Sequence, residues 1–243
     1  TQSRSSAASD VYKRQTVDMT EANSSSTERI REKKRVFLAR EQRIIDAALE
    51  LFIDQRIDSV TVSKIASRAG IGKGTVYKHF LTKNEILMRI MLDYEKQLST
   101  NLAAGIRKAE AGAPGAAARA YFESRLARPE LDRLVQQLEV RLADAQDVAV
   151  QLEELHRTRR SNEASLSQML TKQIERGVLE DVPTHYHYLA CWALAQGAVE
   201  LCFNKSWNYR LDTEKLMEFI TGIGMTMGNT GQYRADRGDP SDD

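Results

Sequence analysis

Four prolines and two cysteines in 243 residues leave little to punctuate or staple this chain. Runs of β-branched residues with a period of two are missing, so the pattern reads as helix almost throughout. Cys191 and Cys202 fall in one predicted helix, where their spacing corresponds to roughly 16 Å, too far for a bridge within it. Nothing therefore demands an oxidising compartment. No basic segment followed by an apolar run opens the chain, so no signal peptide is expected. The longest apolar-rich run, YLACWALAQGAVELCF, is interrupted by Gln196 and Glu200 and falls short of a membrane span. The expectation is a cytoplasmic protein with no membrane partner.

An initiator methionine is also missing. The segment SAASDVYKRQ resembles a translated sequencing-adapter artefact, and the natural start is expected at or near Met19. Residues 1–27 are read as a disordered or artefactual segment, Ser-rich and without period. Strong net charge is lacking too: the formal value is +1. That average hides a split. Residues 27–96 carry 15 Lys/Arg against 10 Asp/Glu, and residues 97–243 carry 17 against 21. A basic front points to a polyanionic partner, although solvated helix faces would give the same count.

What is present is amphipathic periodicity. In AREQRIIDAALELFIDQR the residues Ile44, Ile45, Ala48, Leu49, Leu51 and Phe52 form one stripe, a first core helix. TVSKIASRAG reads as a short second helix with Thr61 as its cap and Gly70 as its left-handed stop. GKGTVYKHF reads as a very short third helix. LTKNEILMRIMLDYEKQLSTNL opens a long fourth one with a capping box, Thr82 and Glu85. After the Gly/Ala-rich joint GIRKAEAGAPGAAARA come further helices, one begun by Pro129 and one ended by Gly177. The expected domains are 28–92 for one three-helix unit, 93–228 for a larger helical unit, and 229–243 for a disordered tail.

The stretch GIGKGTVYKHF carries the chemistry. A nucleotide-binding P-loop needs G-x-x-x-x-G-K-[ST] after a strand. Here Gly74 follows Lys73, Ser67 stands at the first glycine position, and the preceding segment is helical. The dinucleotide pattern fails as well, so a nucleotide-dependent enzyme is the weaker reading. Two short helices joined by a tight glycine turn instead make a helix-turn-helix. Its second helix would turn Lys73, Gly74, Thr75, Tyr77, Lys78 and His79 outward and Val76 and Phe80 inward. Gly74 suits close approach to base edges. The Thr75 and Tyr77 hydroxyls suit phosphate oxygens, and Lys73 and Lys78 suit guanine or phosphate. Thr61 and Lys83, at the starts of the second and fourth helices, are further phosphate candidates.

From Arg40 to Met91 these residues resemble the DNA-binding domain of tetracycline-repressor (TetR/AcrR-type) transcriptional regulators. Thr61, Ile65, Ala66, Ala69, Gly70, Gly74, Tyr77, His79, Phe80, Lys83 and Leu87 all fall in that family's pattern. The resemblance implies an all-α fold. An N-terminal three-helix helix-turn-helix domain would precede a larger helical ligand-binding and dimerisation domain. It also implies a homodimer on a palindromic double-stranded DNA operator, without catalysis or cofactor. Under it, Thr61, Tyr77 and Lys83 meet phosphate, Lys73, Gly74 and Lys78 face bases, and His79 supports the helix. The basic extension Arg29 to Arg40 is longer than the fold needs, and reads as a solvated tail or a DNA-contacting arm.

The C-terminal half is less explicit. THYHYLACWALAQGAVELCF has two apolar stripes, so one face would meet its own domain and the other a partner. Leu189, Val199, Phe203, Phe219, Ile220, Ile223 and Met227 are the expected dimer residues, in a four-helix interface. Phe122, Leu126, Leu134, Leu138, Trp192 and Gln196 are the expected lining of a pocket for an apolar or aromatic effector. His185, His187 and Cys191 lack a clear third and fourth partner, so no metal is expected. A DNA-binding architectural protein without effector remains open beside the regulator.

Overall fold

A leucine- and alanine-rich chain short of proline has few ways to stop a helix, and the molecule is built accordingly. The structure is a computed structural model that describes residues 5–204, 206 and 212–230, with side chains from Glu28 onward. Among the described residues it holds α1 (Ser5–Asp54), α2 (Val62–Arg68), α3 (Lys73–Val76), α4 (Lys83–Glu110) and α5 (Ala116–Leu126). α6 (Pro129–Leu142), α7 (Ala149–Glu175), α8 (Thr184–Phe203) and α9 (Thr213–Thr226) complete the set. No β-strand occurs among them; one isolated bridge joins Leu179 and Asn229. The expected tail, 229–243, lies outside the described residues beyond Thr230. The expected break at residue 27 falls within the helical backbone of α1, and the basic extension continues that helix.

Contacts divide the chain into two units, Thr1–Leu51 with Val60–His79, and Phe52–Ser59 with Phe80–Asp243. All of α4 belongs to the second. The expected boundary at 92 falls inside α4, whose cap is Thr82.

In the first unit, Ile44, Ala48, Ile65 and Val76 are fully or almost fully buried. The Thr61 hydroxyl oxygen accepts from the Lys64 N–H at 3.2 Å and so starts α2. Gly70, at φ 66, ends it. The Ile71 N–H donates to the Ala66 carbonyl and the Gly70 N–H to the Ser67 carbonyl. That paired closure needs a left-handed residue, which glycine adopts without a Cβ penalty.

The second unit is organised on α4, which packs against α5, α6 and α7. The Thr82 oxygen accepts from the Glu85 N–H at 3.2 Å, and the Glu85 carboxylate accepts from the Leu81 N–H. The predicted capping box thus closes one residue earlier than the cap itself. Phe122 is fully buried against Ala195, Val199 and Ile220. Its ring lies where a Cβ on Gly224 would come within 2.0 Å, so α5 and α9 can meet only over a glycine. A buried ion pair ties the same region together. Arg125 donates to Asp132 at 2.9 and 2.8 Å, and Asp132 also accepts from Tyr94 and Gln136. Burial works against the Arg125 charge, but its bonds to Asp132 outweigh that and raise its pKa.

Candidate nucleic-acid interface and effector cavity

The chain after the Gly70 turn is short of side-chain bulk where it begins α3. Gly72 is extended, and the Thr75 N–H reaches its carbonyl at 2.8 Å. Val76 is completely buried, which turns Lys73, Gly74, Tyr77 and Lys78 outward. Thr75 is half-buried. Tyr77 is 42% exposed, and the Lys73 ammonium lies 5.9 Å from its ring centroid. A Cβ placed on Gly74 meets nothing within 4 Å, so no internal contact demands glycine there. Thr61 is exposed at the start of α2, its oxygen taken by Lys64 and its hydroxyl proton available to an external acceptor.

His79 departs from the expected outward set. Its side chain is buried, its ring lies 4.1 Å from that of Phe37, and its Nδ1 is 3.9 Å from the Glu41 carboxylate with no hydrogen-bond partner. A ring clamped against α1 supports the helix and presents nothing outward. Phe80, as expected, is buried. Lys83 belongs to the second unit. Its ammonium donates to the Ile57 carbonyl and lies 5.6 Å from the Phe52 ring centroid. Burial, with Arg141 nearby, lowers its pKa. Its placement serves the start of α4 locally.

Within the second unit α4, α5, α7, α8 and α9 line a cavity of about 420 Å³ that is open to solvent on one side. Leu102, Leu166, Met169, Leu170 and Met225 supply much of its apolar wall. Glu95, Arg159, Asn162, Glu163 and Tyr188 supply a polar part. Glu95 is buried and accepts from Arg159 at 2.9 Å and from Asn162 at 3.2 Å. The Tyr188 hydroxyl donates to Glu163 at 2.7 Å, which raises the Tyr188 pKa. Cys191 also lines the cavity, and burial pushes its thiol up to about 11. His187 lines it too, its Nε2 at 3.1 Å from the Glu180 carbonyl. Among the described residues no three His, Cys, Asp or Glu side chains are grouped to hold a metal.

The expected lining needs correction. Trp192 does line the cavity, but Phe122, Leu126, Leu134 and Leu138 are buried core. Gln196 is engaged by Arg125 and Gln136. A periodic stripe identifies buried residues without saying whether protein or empty space faces them. Glu95 carried a readable signal: it interrupts the apolar stripe of α4 at the position between Met91 and Leu98.

The expected interface residues also divide. Leu189, Phe219 and Ile223 are exposed, Phe219 by 66%. Val199 and Ile220 instead pack into their own core. Phe203 is half-buried with the Arg133 guanidinium 4.5 Å from its ring centroid, and Met227 lines the cavity. No helix among the described residues is long and apolar enough to cross a membrane.

Residues 44–90 match the family described as bacterial regulatory proteins, tetR family. The chain is similar to the HTH-type transcriptional regulator SrpR of Pseudomonas putida, 44% identical over 57 residues, 24% of this chain and 27% of SrpR. It is equally similar to the uncharacterized HTH-type transcriptional regulator TtgW of Pseudomonas putida (strain DOT-T1E), where the match covers 24% of this chain and 42% of TtgW. The chain thus spans well under half the length of these curated relatives. Solved structures extend the likeness of fold. A bacterial regulatory protein of the tetR family from Rhodococcus RHA1 aligns with TM-score 0.63 and 18% identity, over 78% of this chain and 96% of that one. AibR, in complex with isovaleryl coenzyme A and operator DNA, aligns with TM-score 0.59 and 13% identity, over 77% and 98%.

Proposed function

We propose that the chain, whose residues 44–90 match the bacterial regulatory proteins of the tetR family, is a sequence-specific DNA-binding transcriptional regulator of that family. It is a repressor, released from a palindromic operator by a small-molecule effector. The observation that carries this reading is the outer face of α3. Lys73, Gly74, Tyr77 and Lys78 are exposed together, and Gly74 has no internal reason to be glycine. Lys73 and Lys78 are suited to base acceptors or phosphate, and Thr61 and Tyr77 to phosphate. Thr75 adds a hydroxyl at the edge of that face. Lys83 belongs to the set by resemblance; the local contacts of its ammonium make it the weakest member.

We assign DNA binding to residues 28–92, and effector binding with dimerisation to 93–228. Exposed Leu189, Phe219 and Ile223 on α8 and α9 suit a second copy of the chain. A two-fold dimer presents two recognition helices and so matches a palindrome. An effector that binds better to a conformation unable to span both half-sites depletes the DNA-binding population. The test is selection of bound DNA from a random pool, followed by fluorescence anisotropy on the selected site. A palindromic consensus is expected, with Tyr77→Phe weakening binding. Absence of binding to any DNA at low salt refutes the reading.

A further inference from the structure

The cavity of the second unit carries charge and aromatic surface that a purely apolar ligand does not need. Among the described residues that line it, Arg159 is the one arginine and there is no lysine. The Arg159 guanidinium is already shared between two carboxylates, Glu95 at 2.9 Å and Glu139. An anionic ligand would have to compete with both. A further carboxylate, Glu163, also lines the cavity. Its contact is the Tyr188 hydroxyl at 2.7 Å, a neutral donor that orients the carboxylate without cancelling its charge. Tyr188 and Trp192 contribute aromatic surface to the same wall, whereas the Tyr121 ring beside them already has the Arg125 guanidinium 5.6 Å from its centroid. Ring faces attract cations and repel anions.

We propose that this cavity binds an apolar-bodied organic cation. Its charge is attracted by Glu163 and the aromatic rings, and its body packs on the leucine and methionine wall. Met169 and Met225 offer flexible thioethers that fit irregular apolar shapes. Only the consequence of this binding at DNA rests on the regulator reading above; the binding itself does not.

Tetraphenylphosphonium and tetraphenylborate share one four-ring shape and carry opposite charge, and triphenylphosphine oxide is a neutral control. Calorimetric titration of the full chain should give tetraphenylphosphonium at least about tenfold tighter binding than either of the others. Glu163→Gln, at an exposed position, should remove most of that preference and leave binding of the neutral control unchanged. Equal or tighter binding of tetraphenylborate overturns the proposal, as does failure of the cation to bind or an unchanged preference in Glu163→Gln. Anisotropy with the selected operator separates the two readings. A bound cation that leaves the operator complex intact keeps the ligand class and removes the effector role. Operator binding without cation binding does the reverse.

Discussion

Replacing Gly74 by alanine separates what α3 does for the fold from what it does for DNA. The added Cβ meets nothing within 4 Å, and Gly74 is not among the glycines with positive φ, so the free protein accommodates it without strain. Alanine in a helix is better than glycine by up to about 1 kcal/mol. In a helix of only four residues about half of that is a fair expectation. For a chain of this size it corresponds to a rise in Tm of about 1–2 °C. On DNA the sign reverses. If the Gly74 backbone lies against the groove, a methyl there acts as overpacking and costs about 1–3 kcal/mol, or about 5- to 150-fold in affinity. Thermal melting by circular dichroism and anisotropy on the selected operator measure the two effects on one preparation. Opposite signs are the expected result. An operator affinity within twofold of the parent chain refutes the close approach, and a fall in Tm refutes the open space around the residue.

Four further outcomes follow from named contacts. Lys83→Met keeps packing on Phe52 and removes the charge, so a phosphate contact predicts a salt slope smaller by about 1 in a titration of affinity against salt. An unchanged slope assigns Lys83 to the local structure of α4. Arg125→Met leaves Asp132 buried and uncompensated and should cost about 3–5 kcal/mol in urea unfolding. The double variant Arg125→Met with Asp132→Leu should recover much of that loss, and no recovery would show that the pair is not the source. With its thiol pushed up to about 11, Cys191 holds only about one thiolate in a thousand at pH 8. Iodoacetamide should therefore label Cys202 first, as peptide mass mapping would read. Phe219→Glu places a charge on the exposed face of α9 and should shift the chain toward monomer in sedimentation velocity, with Tm little changed.

Much of the first unit is legible in the sequence because its signals are local. Thr61 caps a helix three residues away, Gly70 closes one through bonds spanning five residues, and Val76 sets by periodicity which side of α3 faces out. His79 was harder. Its spacing placed it beside Tyr77 and Lys78, but Phe37 and Glu41 on a distant turn of α1 bury it. The cavity was harder still, because Phe122, Leu134 and Leu138 obey the same periodicity whether they face a void or another side chain.

Taken alone, the sequence determined the all-helical class, the helix-turn-helix and the outward turn of Lys73, Gly74, Tyr77 and Lys78, since capping, turn and periodicity act within a few residues. Tertiary structure decided which apolar stripe became core and which became cavity wall. Phe122 packs where a Cβ on Gly224 would stand and is fully buried in the core, so it is no part of the cavity wall. Glu95, an acid set in the apolar stripe of α4, meets Arg159 from 64 residues away at the cavity wall. Packing between distant helices makes such assignments, because a stripe records only that a residue avoids water and not what it touches instead.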